Sequence, residues 1–179
     1  MEVARSKIGI SVSQRKYTLD LLKDTGMLGY KPAETLLDSN VKLLKSSTEK
    51  RVDKGQYQRL VGKLIYLAHT RPDISFSVSM VSRFMNDPSE IHMEDVMRIL
   101  RYLKSTPGMG SMFKKQSSRE IQVFSDADWA GSKTDSRSTS GMCSFVWGNL
   151  ITWRSKKQSV VAKSSAESEL RSLAHGVCE

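Results

Sequence analysis

The spacing of apolar residues divides this chain into a helical first part and a second part rich in strands. Tyr17, Leu21 and Leu22 recur at helical spacing over residues 14–23, with Ser13 as the expected cap, and three further helices follow residue 54. We expect the apolar faces of these three helices to form the core of a small bundle. The predicted core residues are Tyr57, Leu60, Val61, Leu64, Ile65, Leu67, Ile74, Phe76, Val78, Met80, Val81, Phe84, Val96, Ile99, Leu100 and Leu103. Pro72 suits the first turn of the second of these helices, and Ser89 suits the cap of the third.

The period of the pattern shortens at several other segments, which predicts strands. These segments are residues 8–12, 112–114, 121–124, 143–147 and 150–153. Gly148 and Asn149 are expected to form a two-residue hairpin turn, and a last helix is predicted from Ser164 or Ser165 to the end. Residues 30–54 are turn-rich and are expected to connect the first helix to the bundle. The order of elements predicts a mixed α/β (α+β) protein with a boundary near residues 116–120.

Acidic residues occur on two of these elements. Residues 123–131 (VFSDADWAG) place Asp126 and Asp128 on one face of a strand, and residues 164–170 (SSAESEL) place Glu167 and Glu169 at a helix start. Residues i and i+2 lie roughly 200° apart on a helix, so only one of the glutamates can face the strand. A strand carboxylate that faces a helix carboxylate would form an acidic pocket for divalent cations, as in two-metal phosphodiester hydrolysis. The structural alternative is that the aspartates serve a turn and the glutamates favour a helix N-terminus.

Nine segments, in order along the chain, resemble the copia-type LTR retrotransposon Pol polyprotein where its reverse transcriptase meets its ribonuclease H domain. They are residues 9–17 (GISVSQRKY), 57–67 (YQRLVGKLIYL), 70–74 (TRPDI), 100–104 (LRYLK), 125–131 (SDADWAG), 138–141 (STSG), 149–153 (NLITW), 156–158 (KKQ) and 164–169 (SSAESE). The resemblance implies a helical thumb- or connection-like segment of the reverse transcriptase over residues 1–117. It further implies a truncated ribonuclease H-like domain over residues 118–179.

The resemblance also implies which carboxylates carry the chemistry. In the ribonuclease H pattern the first catalytic aspartate ends the first strand, and the second carboxylate opens the first helix just before a leucine; these positions are Asp126 and Glu169. Both would then be catalytic residues and Mg²⁺ ligands. The family pattern continues to further acidic residues, and the Tyr-x-Asp-Asp hairpin of the polymerase does not occur in this sequence.

We therefore expect a Pol remnant, derived from an RNA-directed DNA polymerase and ribonuclease H, that is catalytically inactive as this chain and binds Mg²⁺ weakly or not at all. Two alternatives stay open. One is a Mg²⁺-dependent ribonuclease H that acts on RNA/DNA hybrids when missing strands complete it. The other is a domesticated basic module that binds nucleic acid.

Charge points to the same class of partner. The net charge is +9, and residues 1–118 hold 20 basic and 12 acidic side chains against 8 and 7 in residues 119–179. Such an excess favours phosphate backbones, so the expected partners are an RNA/DNA hybrid or other nucleic acid, with the remainder of a Pol polyprotein. Candidate phosphate contacts are Arg154, Lys156, Lys157 and Lys163, and for each of them a merely solvated surface charge is the alternative.

Other function classes are disfavoured by composition. The two cysteines and three histidines lack the spacing of metal ligands, so no zinc site is expected. No apolar run reaches the roughly 18 residues of a membrane span, and the N-terminus lacks the apolar core of a signal peptide. The expected location is intracellular, cytoplasmic or nuclear, without a membrane partner and not secreted.

Overall fold

The computed structural model describes residues 1–37, 50–117, 119–132 and 135–178. The chain divides into two compact units, Met1–Arg5 with Ser11–Ser111 and Ser6–Ile10 with Met112–Glu179. The elements are β1 (Glu2–Arg5), β2 (Gly9–Ser13), α1 (Arg15–Asp24), a 3₁₀ turn (Met27–Gly29), α2 (Lys54–Ala68), α3 (Pro72–Ser82), α4 (Glu90–Ser105), β3 (Gly110–Lys114), β4 (Ile121–Asp128), β5 (Thr139–Val146), β6 (Asn149–Lys157) and α5 (Ser165–Cys178). The described strands form two sheets, in the orders β1-β2-β3 and β4-β5-β6. The mixed α+β class is confirmed, while the thumb-like and ribonuclease H-like assignments stay predictions.

The helical unit is built around the apolar faces of α1 to α4. Its buried core residues are Leu21, Leu22, Met27, Tyr57, Leu60, Val61, Leu64, Leu67, Ile74, Val78, Val81, Val96, Ile99, Leu100 and Leu103. Three predicted core residues lie outside this core: Ile65 is 41% exposed, Phe76 is 57% exposed, and Met80 is half-buried and does not pack against it. Ile65 directly follows buried Leu64, and one residue turns a helix by roughly 100°, away from the buried face.

Local signals set two of the helix starts. Pro72 is the first residue of α3, as predicted, where a missing amide donor leaves no bond unmade. Ser89 caps α4, also as predicted: its side chain accepts from the backbone of His92, whose ring in turn accepts from the backbone of Ser89. The distance from Ser89 N to Nδ1 of His92 is 3.0 Å.

The predicted cap of the first helix is wrong. Gln14 occupies the cap position of α1, and its side chain makes no cap bond. Buried Gln14 instead donates from Nε2 to the Tyr66 carbonyl at 3.3 Å and to Thr70 Oγ1 at 3.2 Å. Ser13 is the last residue of β2, so tertiary hydrogen bonding, not a local cap, determines where this helix begins.

A buried ion pair ties the start of α3 to the end of α4. Arg71 is only 1% exposed, and its Nε and one terminal nitrogen donate to the two carboxylate oxygens of Asp73 at 2.9 and 2.7 Å. The terminal nitrogens of Arg71 also donate to the carbonyl and the hydroxyl of Thr106, both at 2.9 Å. Tyr102 donates to Asp73 at 3.1 Å. Burial raises the pKa of Asp73, but the hydrogen bonds and charge of Arg71 outweigh it, so the pKa is lowered.

The second unit contains an antiparallel β4-β5-β6 sheet covered by α5. Its hairpin turn is one residue earlier than predicted, at Trp147 and Gly148, whose φ angles of 52° and 70° fit a type I′ turn. Asn149 belongs to β6 because it pairs with Val146, and its side chain bridges the backbone of Lys114 by accepting at 2.6 Å and donating at 3.0 Å. The last helix begins at Ser165, as predicted.

Candidate carboxylate site

Strand β4 lies at the edge of its sheet and carries both aspartates close to its end. Its pairing with β5 is regular from Ile121 to Asp128, so side chains alternate between the two faces without interruption. Val123 lies on the face covered by α5, where a Cβ added to Gly176 would be 3.3 Å from it. Asp126 and Asp128 therefore extend from the opposite face.

Open space adjoins Asp126 on that face. Gly141 is its direct partner on β5, and a Cβ added there would meet no atom within 4 Å. In the described part of the chain, no side chain or amide donates to the Asp126 carboxylate. Asp126 thus has an exposed carboxylate with no donor among the described residues and with open space beside it.

Glu169 reaches the same point of β4 from the helix. Its Oε1 accepts from the backbone N–H of Ala127 at 3.2 Å. One turn later, the Ser172 hydroxyl donates to the carbonyl of Asp126 at 2.8 Å. The peptide group between Asp126 and Ala127 is consequently bound at both ends by side chains of α5.

Glu167, the other glutamate, is engaged at the start of α5. Its Oε2 accepts from the backbone of Lys163 at 2.8 Å, and its own amide donates to Ser164 Oγ at 3.2 Å. Arg171 donates to its Oε1 from two nitrogens, at 3.1 and 2.8 Å. The backbone bond from Lys163, followed by the Arg171 contacts, lowers the pKa of Glu167. Glu167 therefore caps the helix, and Glu169 is the glutamate that meets the strand.

Asp128 has the geometry of a turn residue. Its carboxylate lies directly against Gly131, in the space that a side chain there would fill. The Asp128 carbonyl also accepts from the Gly131 amide at 3.3 Å. Any larger residue at position 131 would displace this carboxylate, so the strand alternative to Asp126 serves the turn.

The carboxylates of Asp126 and Glu169 suit a hard divalent cation, since Mg²⁺ prefers oxygen ligands. They approach the end of β4 from different sides, and Glu169 already accepts a hydrogen bond from Ala127. A shared ion would need one of the side chains to change rotamer. Within the described ranges, no group of three or more histidine, cysteine or acidic side chains could hold a metal ion.

The four basic candidates do not form one surface. Arg154 and Lys156 pair with residues of β5 on the sheet face covered by α5, whereas Lys157 alternates to the other face. Lys157 is also committed, because its ammonium donates to Ser132 Oγ at 2.9 Å and contacts Asp135 at 2.7 Å. The hydrogen bond from Lys157 to Asp135 is the main reason that the pKa of Asp135 is lowered.

No described helix is long and apolar enough to cross a bilayer.

Sequence reasoning missed the small residues that seat α5 on the sheet. Ser168, Ser172 and Gly176 are all buried and recur every four residues, a spacing that was visible in the sequence. Gln158 was missed as well: its Nε2 donates to Ser140 Oγ at 3.0 Å and to the Ser168 carbonyl at 2.9 Å. These contacts hold the helix close to β4 and β5.

This α+β unit has a strand aspartate and a helix glutamate at one strand end. Known proteins with similar sequences indicate the family from which it comes. The chain is 45% identical over 98% of its length to the "Retrovirus-related Pol polyprotein from transposon RE1" of Arabidopsis thaliana. It is 43% identical, over the same share, to the corresponding polyprotein from transposon RE2. It is also 42% identical, over 93% of its length, to "Uncharacterized mitochondrial protein AtMg00810", of which it covers 69%.

Over nearly its whole length the chain is therefore related to a segment of retrotransposon Pol polyproteins. It spans 12% of the length of the two transposon polyproteins. No family model and no solved structure matches it.

Proposed function

We propose that this chain is a Pol-derived segment that supplies two carboxylates, Asp126 and Glu169, of a magnesium-dependent ribonuclease H site, and that it does not cleave RNA by itself. The observation that carries the proposal is the hydrogen bond from the Ala127 amide to Glu169, which holds the helix carboxylate at the peptide group that follows Asp126. Family membership supports it, since both transposon relatives are named as Pol polyproteins.

Asp126 and Glu169 are the residues that would hold Mg²⁺, which when bound activates water and stabilises charge on a phosphate. Asp126 offers an uncommitted carboxylate beside the open space at Gly141. Glu169 is held in place by its bond to Ala127 and would contribute its second oxygen or exchange that bond for the ion. Two ions bring four positive charges, and two carboxylates offset only half of them. The expected result is weak metal binding and no productive orientation of an attacking water.

Cleavage of an RNA/DNA hybrid labelled on its RNA strand tests this proposal. With Mg²⁺ or Mn²⁺ present, the 179-residue chain should release no more product than its Asp126→Asn and Glu169→Gln variants. Glu167→Gln is the matched control, because Glu167 is the same residue type on the same helix but caps it. Metal-dependent cleavage that either site substitution abolishes and Glu167→Gln spares would overturn the inactive assignment. Cleavage that survives both site substitutions would come from a contaminant or from another site, and in the latter case would overturn the assignment to Asp126 and Glu169.

A second candidate function, nucleic-acid binding, rests on the uneven charge of the chain. The excess of 20 basic over 12 acidic side chains before residue 119 would bind phosphate backbones without reading bases. Fluorescence anisotropy with a labelled hybrid should show affinity that falls steeply as salt is raised. Affinity that stays constant from low to high salt would rule out this electrostatic binding.

A further inference from the structure

We infer that Ser172 is a positioning residue for the carboxylate pair: its bond to β4 sets the depth and rotation of α5 that hold the Glu169 carboxylate at the peptide group following Asp126. The inference rests on the proposed function and adds to it a residue that has no carboxylate and would not touch the metal. It is drawn from the way in which α5 is fastened to the strand.

Both hydrogen bonds between α5 and β4 are made to the same peptide group, the one that joins Asp126 to Ala127. Ser172 Oγ donates to the Asp126 carbonyl at 2.8 Å, and the Ala127 amide donates to Glu169 at 3.2 Å. Residues 169 and 172 are neighbours on the helix surface, so both bonds can form only over a narrow range of helix rotation. In the described part of the chain, the hydrogen bonds between α5 and β4 involve these two side chains alone.

Close packing makes the short serine side chain effective. Ser172 is fully buried, and at Gly176 the helix comes so near the strand that a Cβ would be 3.3 Å from Val123 Cγ1. At this separation a hydroxyl on a single carbon reaches the strand backbone directly. Without the hydroxyl, the part-buried Asp126 carbonyl loses its bond to Ser172, and the distance between the helix and the strand is no longer fixed at this point.

A second contact, one turn earlier, fixes the helix to a different strand. Gln158 donates both to the carbonyl of Ser168 and to Ser140 on β5. This contact fastens the beginning of α5 without involving β4. The position of Glu169 at β4 therefore depends on the Ser172 bond together with its own bond to the Ala127 amide.

The test compares two buried serines of the same helix. Ser172→Ala removes the bond to β4, whereas Ser168→Ala is the matched control, because Ser168 is equally buried and its hydroxyl donates within the helix to Ser165 at 2.7 Å. Two-dimensional ¹H–¹⁵N NMR of the full chain would follow the Ala127 amide, first without metal and then through a Mg²⁺ titration. In Ser172→Ala the metal-free Ala127 proton should move upfield, and the apparent Kd for Mg²⁺ should rise about three- to tenfold. Ser168→Ala should change neither quantity.

The outcomes separate the inference from the proposed function. An unchanged Ala127 resonance and an unchanged Kd in Ser172→Ala would overturn the positioning role alone. A wild-type chain whose spectrum ignores Mg²⁺, or responds equally after Asp126→Asn, would overturn the proposed site and this inference with it. Ser172→Cys leaves no cavity, since its side chain is slightly larger than that of serine, but it is a poor donor, so it should repeat the Ser172→Ala result if alanine unfolds the chain.

Discussion

Replacing Arg71 by alanine should destabilise the helical unit strongly. The guanidinium is 1% exposed and makes four hydrogen bonds, two to Asp73 and two to Thr106. Removing one partner of a buried ion pair costs about 3–5 kcal/mol, because the other charge stays buried without compensation. The Asp73 side chain is 25% exposed, so water recovers part of that cost, and we expect a loss of about 3 kcal/mol. Arg71→Lys keeps the charge but cannot form the bidentate bond to Asp73, so about half of the loss in unfolding free energy should remain.

Urea unfolding followed by far-ultraviolet circular dichroism measures this loss. With a slope of about 2 kcal/mol per molar urea, Arg71→Ala should lower the midpoint by about 1.5 M. Lys63→Ala is the matched control, since Lys63 forms an exposed ion pair with Asp24 at 3.2 Å, and such pairs contribute at most about 1 kcal/mol. A midpoint for Arg71→Ala that moved no further than that of Lys63→Ala would refute the reasoning.

The same cluster predicts a pH dependence. The pKa of Asp73 is lowered in the folded protein, so its ionised form stabilises the fold at pH values above the unfolded-state pKa of about 3.9. That contribution is lost as the pH falls through the folded-state pKa. The stability difference between the wild type and Asp73→Asn should therefore be largest near neutrality and shrink below about pH 4, and a difference that grew with acid would contradict this sign.

Further predictions concern two glycines and one cap. Gly62→Ala should stabilise α2 by about 0.5–1 kcal/mol, because a Cβ there meets nothing within 4 Å, and an unchanged or lowered thermal midpoint would contradict it. Gly9→Ala should instead lower the midpoint, since its Cβ would collide with the backbone of Phe113; a neutral effect would show that the strands can separate at no cost. Ser89→Ala should cost about 1 kcal/mol by removing the cap of α4, and equal urea midpoints would rule that out.

The elements with strong local signals were predictable from sequence. Pro72 and Ser89 marked helix starts correctly because each acts on the backbone within its own first turn. Ser13 failed because Gln14 is held by Tyr66 and Thr70, more than 50 residues away, and no local rule contains those partners. Long-range contacts of this kind account for the shifted helix start.

The candidate site was predictable to a similar degree. The family pattern selected Glu169 over Glu167, and the structure places Glu169 at β4 and Glu167 in the cap. Their catalytic role stays a prediction. Ser172 could not be selected from the sequence, because its contact depends on how closely α5 approaches the strand. The direction of Asp126, away from the face that α5 covers, likewise depends on a strand register that short apolar runs do not determine.

The most direct test of the central claim is a Mg²⁺ titration of the intact chain by NMR, compared among the wild type, Asp126→Asn, Glu169→Gln and Glu167→Gln. The account predicts weak, saturable shifts centred on residues 126–128 and 169. These shifts should be lost in Asp126→Asn and Glu169→Gln and retained in Glu167→Gln. Shifts that persist in Asp126→Asn, or that are centred elsewhere in the chain, would contradict the claim that Asp126 and Glu169 form the metal site.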